Sequence, residues 1–379
     1  MYKIALVCDW YLPRIGGIEH QLRDLQCQLA VRGHDAQIIT ATPGPAEEGG
    51  GPVVHRLPVS RVPCWHTVWN WRALHLLQRL LIRERFDVVH GHSLYSPLAV
   101  ASTCLARTLG IPSVLTNHSL LGRVLPTLLF PLVAVAKRRP AADIVTGVSR
   151  AVVGDLSKSL GRADVCLIPN AVNLTDWAAH STRSAASTHP QIVSVMRLTR
   201  RKRPLDLIRA IPRICARLPP RLWPRFTIVG DGSERPRAEH EVRRLGLADR
   251  VHFLGFRPRE ELKTILSQAS IFVLPTVQEA FGMAVLEARC VGLPVVAMNH
   301  GGIGDILESG AGGFLTRTYD EFADRIADLV RDPSLRARLA GTGIATLARF
   351  GWDVVTEQYL DVYRRAMVTS HAREQCAPR

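Results

Sequence analysis

Short apolar runs alternate with stretches of helical periodicity from the first residues onward. KIALVCDW reads as a strand closed by Asp9, and Ile18, Leu22, Leu25 and Leu29 then fall on one helical stripe that ends near Gly33, before the strand AQIITAT. DVVHGHS, a helix through PLAVASTCLARTLG, PSVLTNHS and DIVTGVS continue the rhythm. The second half repeats it with QIVSVMRL, a helix from Pro204 to Arg217, RFTIVGDG, a helix around 239–245, RVHFLGF, a helix near 260–268, SIFVLPT, a helix opening at Gly282, and PVVAMN. Strands alternating with helices predict two α/β domains, each a parallel, doubly wound, Rossmann-like sheet, facing each other across a cleft. The boundaries expected are 1–172 for the first domain, 173–190 for an Ala/Ser/Thr-rich linker, 191–350 for the second, and 351–379 for a last helix and tail. On that helix Val354, Val355, Tyr359, Val362 and Tyr363 form the apolar side.

A length of 379 residues suits two cores, and 47% hydrophobic with 21% charged residues is an ordinary globular balance. The net charge of +15 points to an anionic ligand or a membrane surface. Nucleic acid is not called for: 43 of the 48 basic residues are Arg, a skew that GC-rich coding explains, and there is no zinc-finger spacing or RNA-recognition aromatic motif. The eight cysteines form no C-x-x-C, so neither a zinc site nor a disulfide framework is indicated, and a reducing cytoplasm is expected. MYKIALVCDWY begins in a strand pattern without signal-peptide features. The run 124–136, VLPTLLFPLVAVA, is too short to span a bilayer; it reads either as a buried helix end or as a lip for a membrane or an apolar acceptor.

Ligands in such sheets sit outside the carboxyl ends of the strands, so the candidate chemistry lies there. Gly16 and Gly17 open the first helix and present backbone amides at its positive end. Arg197 and Lys202, in RLTRRKR after a second-domain strand, suit a phosphate through a forked guanidinium and a point charge. Glu279 precedes Phe281, Gly282 and Met283 at a helix start, and Glu287, four residues beyond Met283, shares that helix face. Carboxylates accept from hydroxyls and helix-start amides donate to oxygens, which together suit a sugar joined through diphosphate to a ribose.

These residues carry a resemblance. The spacing Glu279-x7-Glu287 around Phe-Gly-Met, with PRIGGIEHQL, DVVHGHS, VLTNHSLLG, CLIPNAVN, VMRLTRRKRP, IVGDGSE and HFLGF in the same order, resembles the retaining glycosyltransferases of family four, which have the GT-B fold. The resemblance implies an acceptor-side first domain and a second domain binding a nucleotide sugar, with the last helix crossing back to the first domain. Glu287 would hold the ribose hydroxyls, Glu279 and the amides of Phe281, Gly282 and Met283 the sugar hydroxyls, and Arg197 with Lys202 the diphosphate. His118 would lie beside the sugar near the reacting carbon, and Gly17 against the phosphates. No D-x-D occurs, in keeping with a metal-independent reaction that needs no cofactor. In the front-face displacement proposed for this family, the leaving phosphate helps deprotonate the acceptor hydroxyl.

TNHSLLG and IPNAVN are most similar to the branch containing the catalytic subunit of phosphatidylinositol N-acetylglucosaminyltransferase and its bacterial relatives, which implies UDP-N-acetylglucosamine as donor. GDP-mannose or UDP-glucose with a small-molecule acceptor is the alternative. Two departures stand out: Arg203 occupies the place where the family usually has Gly, and no membrane anchor follows Trp352, which points to a soluble acceptor in place of a lipid. Other readings of the residues are a metal site at His90, His92 and His118, a dinucleotide-dependent oxidoreductase built on Gly230-Asp-Gly232, and a non-catalytic sugar-binding protein. For the acceptor, Arg123, the 124–136 run and the Trp65–Trp71 region are the candidates.

Overall fold

The computed structural model describes residues 1–14, 16–45, 53–59, 71–121, 142–180 and 190–375. The chain divides into two compact units, Met1–Ala171 with Trp352–Arg379, and Val172–Gly351. Arg123, the 124–136 run and most of the Trp65–Trp71 region lie outside the described residues.

In the first unit, β1 (Lys3–Cys8), β2 (Asp35–Thr40), β3 (Val54–Arg56), β4 (Val88–His92), β5 (Ser113–Asn117), β6 (Ile144–Gly147) and β7 (Cys166–Leu167) form one parallel sheet in the order β3-β2-β1-β4-β5-β6-β7. Strand direction of growth reverses between β1 and β4, the arrangement that leaves a crevice at their carboxyl ends. Alternate residues of β1 feed the two faces. Ile4, Leu6 and Cys8 pack with the helices Gly17–Val31 and Trp352–Gln375, while Ala5 and Val7 pack with Trp71–Glu84 and Pro97–Thr108. Because both faces are covered, the strand is apolar throughout and does not alternate with polar residues. Ser96 caps the Pro97 helix by accepting from the Ala99 amide at 3.1 Å, with Pro97 in the first turn where its missing N–H is harmless.

The second unit repeats the topology through its fifth strand and exchanges the order of the last two. Its strands β8 (Gln191–Val195), β9 (Arg225–Val229), β10 (Val251–Gly255), β11 (Ile271–Leu274), β12 (Val295–Met298), β13 (Glu308–Ser309) and β14 (Gly312–Thr316) run in the order β10-β9-β8-β11-β12-β14-β13, and the reversal falls between β8 and β11. The helices Pro204–Ala216 and Tyr319–Arg331 bury Leu207, Ile208, Ile211, Phe322, Ile326 and Leu329 against one face.

Two expectations need correction. The stretch beginning at residue 173 is not a plain linker: Leu174–Ala178 forms a helix capped by Asn173, and its Trp177 is fully buried in the second unit. Lys263, only 2% exposed, donates to Asp176 at 2.6 Å beneath that ring, and Arg259 stacks on it at 5.5 Å. On the last helix Val355, Tyr359, Val362 and Tyr363 are buried, but Val354 is 41% exposed, because one step around a helix turns it about 100° away from the Val355–Tyr359–Tyr363 stripe.

Trp177→Ala removes a fully enclosed indole, so the second unit should lose about 3–5 kcal/mol of stability. Chemical denaturation of wild type and variant side by side measures this.

Candidate functional site

At the carboxyl end of β8 the chain passes through Met196, Arg197 and Leu198, and two glycines of the next loop pin it there. The Leu198 amide donates to the Asp231 carbonyl at 2.8 Å, and the Leu198 carbonyl accepts from Glu234 at 2.9 Å. A side chain at Gly230 would come within 1.9 Å of the Met196 carbonyl oxygen, and one at Gly232 within 2.3 Å of that of Leu198; both residues have positive φ. Gly230-Asp-Gly232 is thus used to seat the backbone around Arg197, which accounts for the glycines without a dinucleotide. The Arg197 side chain is exposed.

Lys202 ends a short 3-10 turn, Arg200–Lys202, and its ammonium pairs with the Glu279 carboxylate, with side chains 25% and 14% exposed respectively. Residues 77 apart in sequence are therefore brought together at the β8/β11 switch point. Glu279 is held from behind. Its carbonyl accepts from the Gly302 amide at 2.8 Å, and at Gly301, φ +68°, a β-carbon would lie 2.0 Å from that same oxygen. Gly282, φ +104°, starts the Met283–Cys290 helix, and a β-carbon there would strike Ile303 at 2.5 Å. Phe281 is buried edge-on against Phe350, so its side chain belongs to the core and its backbone to the loop. Met283 and Glu287 are half-buried on the helix that follows.

Arg289, on that same helix, had no signal in the sequence. It is 2% exposed and donates to the carbonyls of Ile306 and Gly343 and to the Thr346 hydroxyl, tying three segments together. Burial without a carboxylate pulls its pKa down to about 10.

In the first unit the β1/β4 switch point carries a buried polar column. Asp9 accepts from the Leu98 amide at 3.0 Å and from the Ser96 hydroxyl, placing a carboxylate at the start of the Pro97 helix. His90 and His92 project from the same face of β4, their rings 4.0 Å apart, and His92 stacks on His118 at 5.3 Å. The hydrogen bonds assign the protons. The Asn170 Oδ1 can only accept, so His118 Nδ1 donates to it at 3.0 Å. His118 Nε2 then accepts from His92 Nδ1 at 3.0 Å, which leaves His92 Nε2 bare and buried without a partner. His90 is bonded by Tyr363 at 2.8 Å and Thr116 at 2.7 Å. His118 is therefore only 9% exposed and already engaged at both ring nitrogens. Ser93, next after β4, takes φ +80°, a conformation rare for a residue with a side chain.

Gly16 and Gly17 differ in what they need. A β-carbon at Gly16 would lie 2.4 Å from Glu19 Oε2, whereas at Gly17 it would meet nothing within 4 Å. Glu19, another residue the sequence pattern did not flag, is 4% exposed and paired with Arg14 at 3.4 Å. A metal reading of the histidines finds no support in this geometry: among the described residues, no group of three or more His, Cys, Asp or Glu is arranged to hold an ion.

The family described as Glycosyltransferase Family 4 matches residues 15–176, and Glycosyl transferases group 1 matches 177–345. One subunit of human phosphatidylinositol N-acetylglucosaminyltransferase is 32% identical over 314 residues, covering 81% of this chain and 64% of the human one. Its Arabidopsis thaliana counterpart is 32% identical over 323 residues, covering 80% and 69%. The chain belongs to glycosyltransferase family 4. Its fold is GT-B: Anabaena HepE, solved with UDP and glucose, superposes with a TM-score of 0.74 at 22% identity, covering 96% of this chain and 99% of that one. The chain spans about two thirds of the length of its human and Arabidopsis relatives. Among the described residues of this glycosyltransferase, no helix is long and apolar enough to cross a membrane.

Arg203, which departs from the family's usual Gly, adopts φ +60° and ψ +43°. The left-handed backbone is thus kept although a side chain is present, held in part by an ion pair to Asp206 at 3.2 Å. Arg203→Gly should raise stability by about 1 kcal/mol, the relieved strain outweighing a surface ion pair. Thermal unfolding of the two proteins tests this.

Burial holds His90 down to about 3, His118 down to about 4 and His92 well below the ordinary 6.5, so all three are neutral in the fold. Unfolding restores the ordinary value, and the unfolded chain then binds protons that the folded one refuses. Stability is complete above pH 6.5 and should fall as pH drops from 6.5 towards 4, by about 1.4 kcal/mol per pH unit for each histidine. Urea titrations across that range should show His92→Gln reducing the proton uptake by about one.

Proposed function

We propose that this glycosyltransferase moves N-acetylglucosamine from UDP-N-acetylglucosamine to an acceptor hydroxyl, with retention at the anomeric carbon and without a metal. The observation that carries the reading is the Lys202–Glu279 pair at the β8/β11 switch point, a cation and a carboxylate set side by side on a glycine-supported loop. A diphosphate would take Lys202 from Glu279 and release that carboxylate to accept from sugar hydroxyls. Each group exchanges one partner for another, so little buried charge is left unpaired on binding.

Arg197, exposed at the carboxyl end of β8, adds a fork for the same diphosphate. The amides of Phe281, Gly282 and Met283 face the sugar oxygens, and Glu287, one turn further, takes the ribose hydroxyls. In the transfer, the bond between the anomeric carbon and the donor phosphate oxygen breaks while the acceptor oxygen bonds from the same face. The acceptor proton passes to the departing phosphate oxygen, and the electron pair stays on UDP. Lys202 and Arg197 stabilise the charge that builds there. His118, neutral and held by Asn170 and His92, is a fixed, uncharged ring at the β1/β4 switch point of the first unit.

The donor sugar rests on the name of the human and Arabidopsis relatives, and the nucleoside diphosphate class on the UDP and glucose held by HepE. The acceptor is a hydroxyl-bearing lipid or small molecule. We place the protein in the cytoplasm with peripheral contact to a membrane, in keeping with six described cysteines of which none forms a disulfide.

Calorimetric titration in EDTA with UDP-N-acetylglucosamine, UDP-glucose and GDP-mannose tests the reading. Selective binding of the first is expected, with Lys202→Ala and Glu287→Gln each weakening it about tenfold or more while melting temperature moves little. A folded protein that binds none of the three would sink the proposal, and preference for GDP-mannose would move the donor.

A further inference from the structure

Beside the Lys202–Glu279 pair, and sharing neither residue with it, the second unit has a cavity of 620 Å³. Five guanidinium groups line it: Arg200, Arg201, Arg203, Arg209 and Arg237. Arg203 pairs with Asp206 at 3.2 Å, Arg209 with Glu241 at 2.8 Å and Arg237 with Glu234 at 3.3 Å. Arg200 and Arg201 are exposed and have no ion pair among the described residues. Five cations therefore meet three carboxylates, and two positive charges stay uncompensated around one concave space.

The backbone adds a second observation. Arg203 keeps a left-handed conformation that glycine would adopt without strain, and the side chain retained at that expense lines the cavity. Strain kept where a simpler residue would relieve it marks a place where the side chain has work to do.

We propose that this cavity is a second anion site, distinct from the one at Lys202, for a ligand carrying clustered phosphate groups. Planar guanidinium forks engage phosphate oxygens in pairs, and several of them converging on one space favour a multiply charged anion over a single carboxylate. The site is coupled to the pair next to it by chain connectivity. Arg201 and Arg203 flank Lys202, and Gln278, which also lines the cavity, precedes Glu279. An anion bound here braces both loops that carry the pair. The same chemistry is offered by a soluble phosphorylated compound and by an anionic lipid headgroup. The inference does not depend on the identity of the donor sugar.

The probe is inorganic pyrophosphate, titrated calorimetrically in EDTA. Lys202→Ala weakens the neighbouring site and should leave pyrophosphate binding in the cavity in place. Adding Arg200→Ala and Arg201→Ala to that variant should weaken it about tenfold or more, and raising the salt should weaken what remains. Arg203→Gly separates binding from folding, since it should melt no lower than wild type and still lose pyrophosphate affinity. Complete loss of binding in Lys202→Ala alone, or unchanged affinity in the arginine variants, overturns the proposal. Co-sedimentation with phosphatidylglycerol/phosphatidylcholine vesicles then distinguishes the sources. Sedimentation that depends on Arg200 and Arg201 assigns a lipid headgroup, and pyrophosphate binding without sedimentation assigns a soluble phosphate.

Discussion

Gly301 packs against the Glu279 carbonyl so closely that a β-carbon would stand 2.0 Å from the oxygen, and Gly230 and Gly232 press on Met196 and Leu198 in the same way. These backbone approaches govern the second unit. Without them the loops after β8 and β11 could not lie near enough for Lys202 and Glu279 to meet. A parallel sheet delivers strand ends to one edge, but it leaves several ångströms of freedom in the loops that follow. Here that freedom is removed by contacts which only glycine permits, and a charged pair results whose partners are far apart in sequence.

Two kinds of electrostatics then coexist in the chain. Among His90, His92 and His118 of the first unit, burial suppresses charge: all three are neutral, the protons of His118 and His92 are assigned through Asn170, His90 is bonded by Thr116 and Tyr363, and one nitrogen of His92 is left bare. Neutral rings of this kind form a rigid, directional column at the end of β4. In the second unit, charge is retained near the surface, where guanidinium and carboxylate groups are half in water and exchange partners at modest cost. The first arrangement suits positioning and the second suits catching an anion.

Arg289 and Arg203 show how far an arginine's role depends on its surroundings. The buried one neutralises nothing and instead donates to carbonyls at the seam of three segments, beside Glu287 on its helix. The exposed one holds a strained turn at the mouth of a basic cavity. Both lie in segments whose family pattern was legible, yet neither function can be inferred from a residue type that occurs 43 times in the chain.

By itself the sequence determined the two doubly wound units and the loops that hold the candidate chemistry. Parallel strands covered on both faces must be apolar along their length, and helix stripes must repeat at 3.6 residues; such local rules are written directly into KIALVCDW or SIFVLPT. Glu279, Lys202 and Arg197 could be placed after strand ends, and Glu287 on the helix that follows, for the same reason. Tertiary structure alone decided what those residues touch. The Lys202–Glu279 pairing, the Asn170–His118–His92 chain, the burial of Trp177 in a stretch that reads as linker, and the outward turn of Val354 all depend on contacts between distant segments. Periodicity reports which face of an element is buried. It carries no information about the residue that another part of the chain brings to that face.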